Sequence, residues 1–389
     1  MTESLTPSRD RLTELFLSLA RIPSPSRHER AVADVVIRHL MELGLSVHED
    51  EAGNAIEGDT GNLWCLVPGD GPDPHVAFGT HLDTVFCNGP IEPILDSDGV
   101  FRSASGTILG ADDKVAVAAV LHATELLKES GRPFPSYELF FTVAEEVGLL
   151  GSRHMDERAL RSPMAAVLDS SGPVGGMVVR APSQESLHAT FRGLAAHAGL
   201  EPERGRSAIQ AAAMAVAGMQ LGRLDDETSA NIGVIRGGTA GNIIPDLCEI
   251  EGECRSHNDE KLTRVAASMV DAIQQAAAQT GVDVDVDLVH EYRSFALTSD
   301  SPAVRLGKAG ISAIGLEAEI HSSGGGSDAN VLNARGLPSI NLQTGMMRVH
   351  SSDEYVTLDD LERLCALLLK LVELAPDFAP KAGAAQVDL

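Results

Sequence analysis

The feature that most constrains this chain is the alternation of helical and strand-like segments toward both of its ends. Residues 114–127 are rich in alanine and valine and predict a long buried helix, while the apolar runs 137–143 and 165–169 predict buried strands. Near the other end, a strand is expected at 338–342 and a helix at 358–374. Strands that alternate with helices favour a mainly parallel sheet with helices on both faces. We therefore predict an α/β protein.

The middle of the chain has a different pattern. Residues 185–193 alternate apolar and polar side chains, as a strand with one solvated face does. The following segments predict, in order, a helix at 207–221, strands at 230–236 and 247–255, a helix at 260–278 and a strand at 282–288. This order predicts a compact α+β unit with an antiparallel sheet. We expect residues 1–183 and 297–389 to form one α/β domain, with a second domain inserted at 184–296.

The charge and cysteine content exclude several kinds of partner. The 389 residues include 30 Lys and Arg against 56 Asp and Glu, a formal charge of −26, which argues against binding nucleic acid or anionic lipid. The five cysteines are scattered, as in reduced intracellular proteins. The first ten residues do not resemble a signal peptide, and no apolar run reaches the roughly 18 residues of a membrane span. We expect a cytoplasmic protein with no nucleic acid and no membrane partner.

Five acidic or histidine side chains lie where predicted strands are expected to end. The carboxyl ends of strands in an open α/β sheet are where ligands bind. Imidazole and carboxylate groups suit Zn²⁺ and its first-row neighbours, and two metals about 3.5–4 Å apart would share one carboxylate. The candidate ligands are His81, Asp112, Glu146, Asp169 and His350. An extra carboxylate beside a ligand, such as Glu145, can act as a general base.

Each of these residues taken alone also has a purely structural explanation. Asp112 and Asp113 can cap the helix that starts near Lys114, because acids stabilise the N-terminal turn. Glu145 and Glu146 can form a solvated turn. A lone Asp169 after a strand can be a cap, and His81 with Asp83 can be a surface pair or a hydrogen-bonded core histidine. The metal hypothesis therefore depends on the whole set.

Four longer motifs identify the family that the chain resembles. They are GTHLDTV at 79–85, LGADDK at 109–114, EEVG at 145–148 and GGGSDAN at 324–330. Together they resemble the M20 family of dinuclear zinc metallopeptidases, and within it the peptidase T-like branch. The resemblance extends from Ile22 to Glu354. It implies a catalytic α/β domain that carries a ferredoxin-like lid, which coincides with the insertion expected at 184–296.

The resemblance also implies a role for each candidate ligand. Asp112 would bridge two divalent metal ions, and the family often holds the Asp112–Asp113 peptide bond in the cis form. His81 and Asp169 would complete one site, and Glu146 and His350 the other. Zinc is the metal that the family implies, with Mn²⁺ and Co²⁺ as alternatives.

Further roles follow from the same resemblance. Asp83 would orient His81. Glu145 would take a proton from the water that bridges the two metals and pass it to the leaving amine. In the lid, His197 would stabilise the oxyanion, and Asn242 and Arg255 would hold the substrate carboxylate. Two structural alternatives stay open, because a loop histidine and a strand-end arginine are also common at surfaces.

The function implied is hydrolysis of an amide bond in small peptides, as an aminopeptidase or a di- or tripeptidase performs it. Tripeptide-cleaving relatives carry an arginine where this chain has Gly324, which argues against a strict tripeptidase. The alternatives are a deacylase of N-acyl amino acids or another amidohydrolase, and a catalytically silent metal-binding homologue. The lid often forms a homodimer interface in this family, although the apolar stripe at 207–221 can equally pack on its own sheet.

Overall fold

The helices and strands come from a computed structural model in which residues 5–71, 73–156 and 159–379 are described. The α-helices are α1 (Arg9–Ala20), α2 (Arg30–Glu42), α3 (Ala52–Ile56), α4 (Ala111–Glu129), α5 (Leu150–His154), α6 (Ala208–Gly218), α7 (Asp259–Thr280), α8 (Pro302–Ala313), α9 (Asp328–Ala334) and α10 (Leu358–Phe378). The strands are β1 (His48–Glu49), β2 (Leu63–Val67), β3 (Ala77–His81), β4 (Pro93–Leu95), β5 (Val100–Ser103), β6 (Tyr137–Thr142), β7 (Ala165–Ser170), β8 (Gly176–Ala181), β9 (Ser183–Arg192), β10 (Ala196–His197), β11 (Gly222–Asp225), β12 (Thr228–Gly237), β13 (Ile243–Ile244), β14 (Leu247–Ser256), β15 (Asp283–Tyr292), β16 (Phe295–Ala296), β17 (Glu319–Ser322), β18 (Ser339–Gln343) and β19 (Tyr355–Thr357).

The chain divides into two compact units. Unit 1 comprises the chain up to Val179, Ala296–Ser322 and the chain from Ser327 onward, whereas unit 2 comprises Arg180–Phe295 and Ser323–Gly326. Unit 2 thus includes a four-residue glycine-rich segment that lies far along the sequence from the rest of it. The domain boundaries expected at 183/184 and 296/297 remain a prediction of the sequence pattern.

The central sheet of unit 1 has the strand order β1-β2-β6-β3-β7-β18-β8. Its four middle strands, β6, β3, β7 and β18, run parallel to one another, whereas the pairs β1–β2, β2–β6 and β18–β8 are antiparallel. Helix α4 is buried along most of its length, with alanine and valine filling residues 115–120, and it contacts β3. The predicted α/β class with a mainly parallel sheet and flanking helices is confirmed.

Unit 2 contains a five-stranded antiparallel sheet in the order β11-β12-β14-β9-β15. One face packs on α6 and α7 through alternate residues of β9, among them Leu187, Ala189 and Phe191. The edge strand β11 was missing from the sequence prediction, because its four residues, GRLD, have no apolar alternation. Helix α6 buries alanines in this core, while Ile209 and Met214 are exposed by 39% and 37%. The homodimer through this part of the chain stays a prediction.

Candidate metal centre

Four adjacent parallel strands each deliver one candidate ligand to the same edge of the central sheet. His81 is the last residue of β3 and Asp169 the last but one of β7. Glu146 follows the end of β6, and His350 follows β18. Because parallel strands have their carboxyl ends on one side, side chains far apart in the sequence converge there.

Asp112 reaches this edge in another way. We expected a strand before it, but residues 104–110 form a loop, and Asp112 lies at the beginning of α4. Gly110 has a φ of 71°, and Asp112 and Asp113 have non-helical backbone angles. The Asp112–Asp113 peptide bond is cis. The turn that precedes a helix, rather than a strand end, therefore presents this carboxylate.

The structure brings His81, Asp112 and Asp169 together as a first group. His81 Nε2 lies 3.0 Å from Asp112 Oδ1 and 3.6 Å from Asp169 Oδ1. One ligand atom from each of the three residues lies within 4.8 Å of the other two. His81 itself is buried, at 1% exposure. The group has the nitrogen and oxygen donors that zinc takes in proteins.

Asp112, Glu146 and His350 form a second group with the same spacing. His350 Nε2 lies 2.9 Å from Glu146 Oε1 and 3.2 Å from Asp112 Oδ2. Asp112 thus directs Oδ1 to the first group and Oδ2 to the second. A carboxylate shared in this manner is the arrangement that a two-metal centre requires.

Negative charge exceeds positive charge in this cluster. Two histidines, His81 and His350, are accompanied by five acidic residues, none of which exposes more than 11% of its surface. The five are Asp83, Asp112, Glu145, Glu146 and Asp169. Burial, followed by the charge of Asp169, raises the pKa of Glu145 well above its ordinary value, and burial raises the pKa of Asp169 to about 7. Hydrogen bonds to Asp112 and Glu146 raise the pKa of His350 to about 10. Such crowded carboxylates favour a site for cations.

Asp83 holds the turn that contains Glu145 and Glu146. Its carboxylate accepts the backbone N–H of Glu145 at 3.0 Å and that of Glu146 at 3.2 Å, and the hydroxyl of Ser26 donates to it at 2.7 Å. The His81 ring is oriented chiefly by the backbone of Asp83, since Nδ1 lies 3.0 Å from its carbonyl oxygen and 3.4 Å from its carboxylate. Asp83 therefore orients two elements of the cluster.

Two buried glutamates near the cluster were missed by the sequence analysis. Glu29 accepts the backbone N–H of Ala144 at 2.9 Å, next to Glu145, and Glu354 accepts backbone N–H groups of the turn before α4. Both bind residues more than 100 positions away in the sequence. The one local signal was the position of Glu354 at the end of the motif-bearing region.

The remaining predicted residues lie in unit 2. His197 in β10 pairs with Ile243 in β13, directly beside Asn242, and His197 Nδ1 accepts the N–H of Gly199 at 3.2 Å. Arg255 lies on β14, and its Nε and Nη2 donate to the carboxylate of Glu253 at 3.0 and 2.8 Å. The structure thus places His197 and Asn242 next to each other and pairs Arg255 with an acid.

The glycine-rich segment of unit 2 lies beside Arg255. A Cβ at Gly325 would lie 3.3 Å from Arg255 Nη1, and one at Gly326 would lie 2.3 Å from the Tyr292 ring. A Cβ at Gly324, by contrast, would have no described atom outside its chain neighbours within 4 Å. Position 326 therefore requires glycine for space, whereas position 324 does not.

Residues 77–374 match the model of Peptidase family M20/M25/M40. The chain belongs to this family. The matched range contains all of the candidate ligands, and the resemblance stated from the motifs is confirmed. Membership makes the protein an enzyme of the metallopeptidase and amidohydrolase class.

Similar proteins support the same assignment over nearly the whole chain. The uncharacterized protein YqjE of Bacillus subtilis is 36% identical over 94% of this chain and 98% of its own length. Aminopeptidase PepT of Bacillus cereus has a TM-score of 0.82 and 37% identity, and covers 95% of this chain and 99% of its own. A tripeptidase of Staphylococcus aureus has a TM-score of 0.88 and 33% identity, with coverages of 96% and 100%. The M20 fold is therefore shared with peptidases of the PepT kind.

Within the described part of the chain, every helix is too short or too polar to cross a bilayer.

Proposed function

We propose that this chain is a metal-dependent peptidase that removes residues from small peptides. The observation that carries the proposal is the pair of ligand groups that share Asp112, with Glu145 directly beside the ligand candidate Glu146. The similarity to aminopeptidase PepT and to a tripeptidase supports peptides as the substrate class.

The donor set fits two divalent cations. His81 and Asp169 would hold one ion, Glu146 and His350 the other, and Asp112 both, so that the surplus of buried acid in the cluster is neutralised. We propose zinc, because imidazole nitrogen and carboxylate oxygen in groups of three are its usual protein ligands. When bound, such ions polarise a carbonyl group and acidify water.

Glu145 is the proposed proton carrier. Its side chain is buried, and burial raises its pKa above the ordinary value, which makes its carboxylate a stronger base that can accept a proton and donate it to the leaving amine nitrogen. Asp83 fixes the backbone of Glu145 and so limits where this carboxylate can move. In unit 2, His197 is the proposed donor to the oxyanion, and Asn242 and Arg255 are the proposed contacts to the substrate carboxylate.

Di- and tripeptides are the proposed substrates, without restriction to tripeptides. Gly324 offers no side chain, and a Cβ there would have no described atom outside its chain neighbours within 4 Å. We therefore expect the chain to accept peptides of more than one length. N-acetyl and N-succinyl amino acids form the comparison set, because a deacylase would prefer them.

The substitution Glu145→Gln tests the proposal. Glutamine keeps the size of the side chain but cannot carry the proton, so we expect turnover of a peptide panel to fall by about 10²–10⁴-fold. Metal content, measured by mass spectrometry of the purified protein, should stay the same. The matched control is Glu14→Gln, an exposed acid on α1 that should leave both quantities unchanged.

Three outcomes contradict parts of the proposal. Unchanged turnover in the Glu145 variant would remove its assignment as proton carrier. Faster hydrolysis of N-acyl amino acids than of any peptide would make the enzyme a deacylase. A metal-loaded wild type that cleaves neither set would make it a silent homologue.

A further inference from the structure

We propose that Glu354 is a positioning residue for the metal centre, and that it aligns Asp112 with His350. This inference rests on the proposed function, since it concerns the same site. Glu354 is buried, at 2% exposure, and lies four residues after His350. Its side chain contacts the turn that presents Asp112.

Three backbone groups of that turn donate to the Glu354 carboxylate. Oε2 accepts the N–H of Leu109 at 2.7 Å and that of Gly110 at 2.9 Å, and Oε1 accepts the N–H of Asp112 at 3.0 Å. The first N–H groups of a helix have no partner within the helix, so a carboxylate at this end of α4 satisfies them. The backbone of the shared ligand is therefore held directly by Glu354.

The position of Glu354 is itself fixed by the sheet that follows it. Tyr355 begins β19, which pairs with β5, and it exchanges two backbone hydrogen bonds with Met347, at 2.8 and 3.0 Å. These bonds close a loop of nine residues, 347–355, that contains both His350 and Glu354. A single side chain thus connects the loop of one ligand to the turn of another.

This geometry predicts unequal effects on the two groups of ligands. Without the Glu354 contacts, both Asp112 and the His350 loop lose a restraint, and the second group keeps only Glu146 in place. The first group keeps His81 and Asp169, which belong to paired strands. We therefore expect the second metal to be weakened more than the first.

Unit 1 contains a matched control for the loss of a buried carboxylate. Glu138 is 3% exposed and accepts the backbone N–H groups of Arg161 and Ser162, together with the Ser162 hydroxyl at 2.6 Å. It lies at the beginning of β6, away from the ligand-bearing ends of the strands. A role confined to stability predicts equal behaviour of Glu354→Gln and Glu138→Gln.

The experiment is a Zn²⁺ titration of the metal-stripped wild type, E354Q and E138Q, with bound metal counted after equilibrium dialysis. In E354Q an amide NH₂ replaces one carboxylate oxygen, so a hydrogen-bond donor faces backbone N–H groups that are also donors. We expect the second zinc to bind about 10–100-fold more weakly in E354Q, while E138Q binds as the wild type does. Circular dichroism confirms that each variant is folded, and E354D, which keeps the charge but is shorter, replaces E354Q if that variant does not fold.

The outcomes separate this inference from the proposed function. Two zinc ions of unchanged affinity in E354Q, or in E354D as its replacement, would overturn the inference alone. Equal losses of zinc in E354Q and E138Q would also overturn it, because the effect would then be general. A folded wild type that binds no zinc would overturn the inference and the proposed function together.

Discussion

Glu29 shows how a single buried side chain can shape the candidate site without entering it. It is fully buried, and its Oε1 accepts the N–H of Arg27 at 2.8 Å and that of Ala144 at 2.9 Å. Its Oε2 has no hydrogen-bond partner among the described residues. Ala144, with a φ of 49°, leads into Glu145, so Glu29 restrains the backbone just before the proposed proton carrier.

The charge of Glu29 predicts a pH dependence of stability. Burial, followed by the charge of Asp83, raises the pKa of Glu29 to about 7 from an ordinary 4.5, so the folded state binds the proton more tightly than the unfolded state. The contribution of this group to the free energy of unfolding is complete below about pH 4.5 and is lost as the pH rises through 7. Glutamine keeps the Oε1 acceptor and does not titrate.

As the pH rises from 5 to 8, we therefore expect the free energy of unfolding to fall by about 2 kcal/mol less in Glu29→Gln than in the wild type. Urea unfolding at fixed metal concentration and several pH values measures this difference. The control E14Q should follow the wild-type curve. Parallel curves for the wild type and E29Q would show that Glu29 does not titrate in this range.

Sequence alone predicts some of these residues and not others, for a physical reason. The ligand candidates stand at the ends of apolar strands or in motifs, which are local signals. Glu29 and Glu354 act through hydrogen bonds to backbone groups 115 and 242–245 residues away. A backbone N–H group does not depend on the residue type, so the sequence does not show which glutamate will accept a hydrogen bond from it.

At the scale of elements, Glu125 joins three helices of unit 1. Arg11 of α1 approaches its carboxylate to 2.6 Å, His39 of α2 to 3.1 Å, and His122 of α4 to 2.8 Å. His122 Nε2 accepts the N–H of Ser8, so its Nδ1 carries the proton that is donated to Glu125. The helices are therefore connected by polar contacts as well as by their apolar faces.

Replacement of Glu125 by Gln should lower the free energy of unfolding by about 2 kcal/mol at pH 7, because Arg11 loses its partly buried partner. Burial alone would raise the pKa of Glu125, but hydrogen bonds from His122 and Arg11 and the close approach of His39 lower it below its ordinary value. The stabilisation is thus present above about pH 4.5 and is lost as the pH falls.

The matched control is again E14Q, since Glu14 binds the same arginine at 2.8 Å but is 70% exposed. Its effect should stay below about 0.5 kcal/mol. Thermal or urea unfolding at pH 7 and pH 3 measures both variants. Equal effects of the two substitutions at pH 7 would refute the special role of Glu125.

The elements themselves were predicted unevenly. Long segments with a clear period, such as α4, β9 and α7, could be read from the sequence. The two-residue strands β10 and β13 and the short strands β4 and β19 could not, because they depend on partners in space. The strand expected before Asp112 was wrong for a related reason, since a helix start presents this residue.

At the scale of the whole molecule, unit 1 is built from both ends of the chain. The sequence pattern predicts that the two ends share one sheet, but it does not predict that β18 lies between β7 and β8. The ligand candidates consequently span positions 81 to 350. Bound metal would connect segments that are far apart in the sequence.

Removal of metal should therefore lower the melting temperature. A ligand bound only to the folded state stabilises it by about 2.7 kcal/mol at a hundredfold excess over its Kd. We expect EDTA to lower the melting temperature of the wild type and added Zn²⁺ to restore it, as calorimetry can show. The variant D112N, which lacks the shared carboxylate, should respond little to either, and an equal response would contradict the assignment of Asp112.

His350 is the last ligand candidate that a ribosome adds, after the other four and all of unit 2. A nascent polypeptide that has not reached this position has no second ligand group. Under the proposed function, no hydrolytic capacity exists until the chain has been synthesised at least as far as His350. The second ligand group is therefore completed only after all of unit 2 has been synthesised.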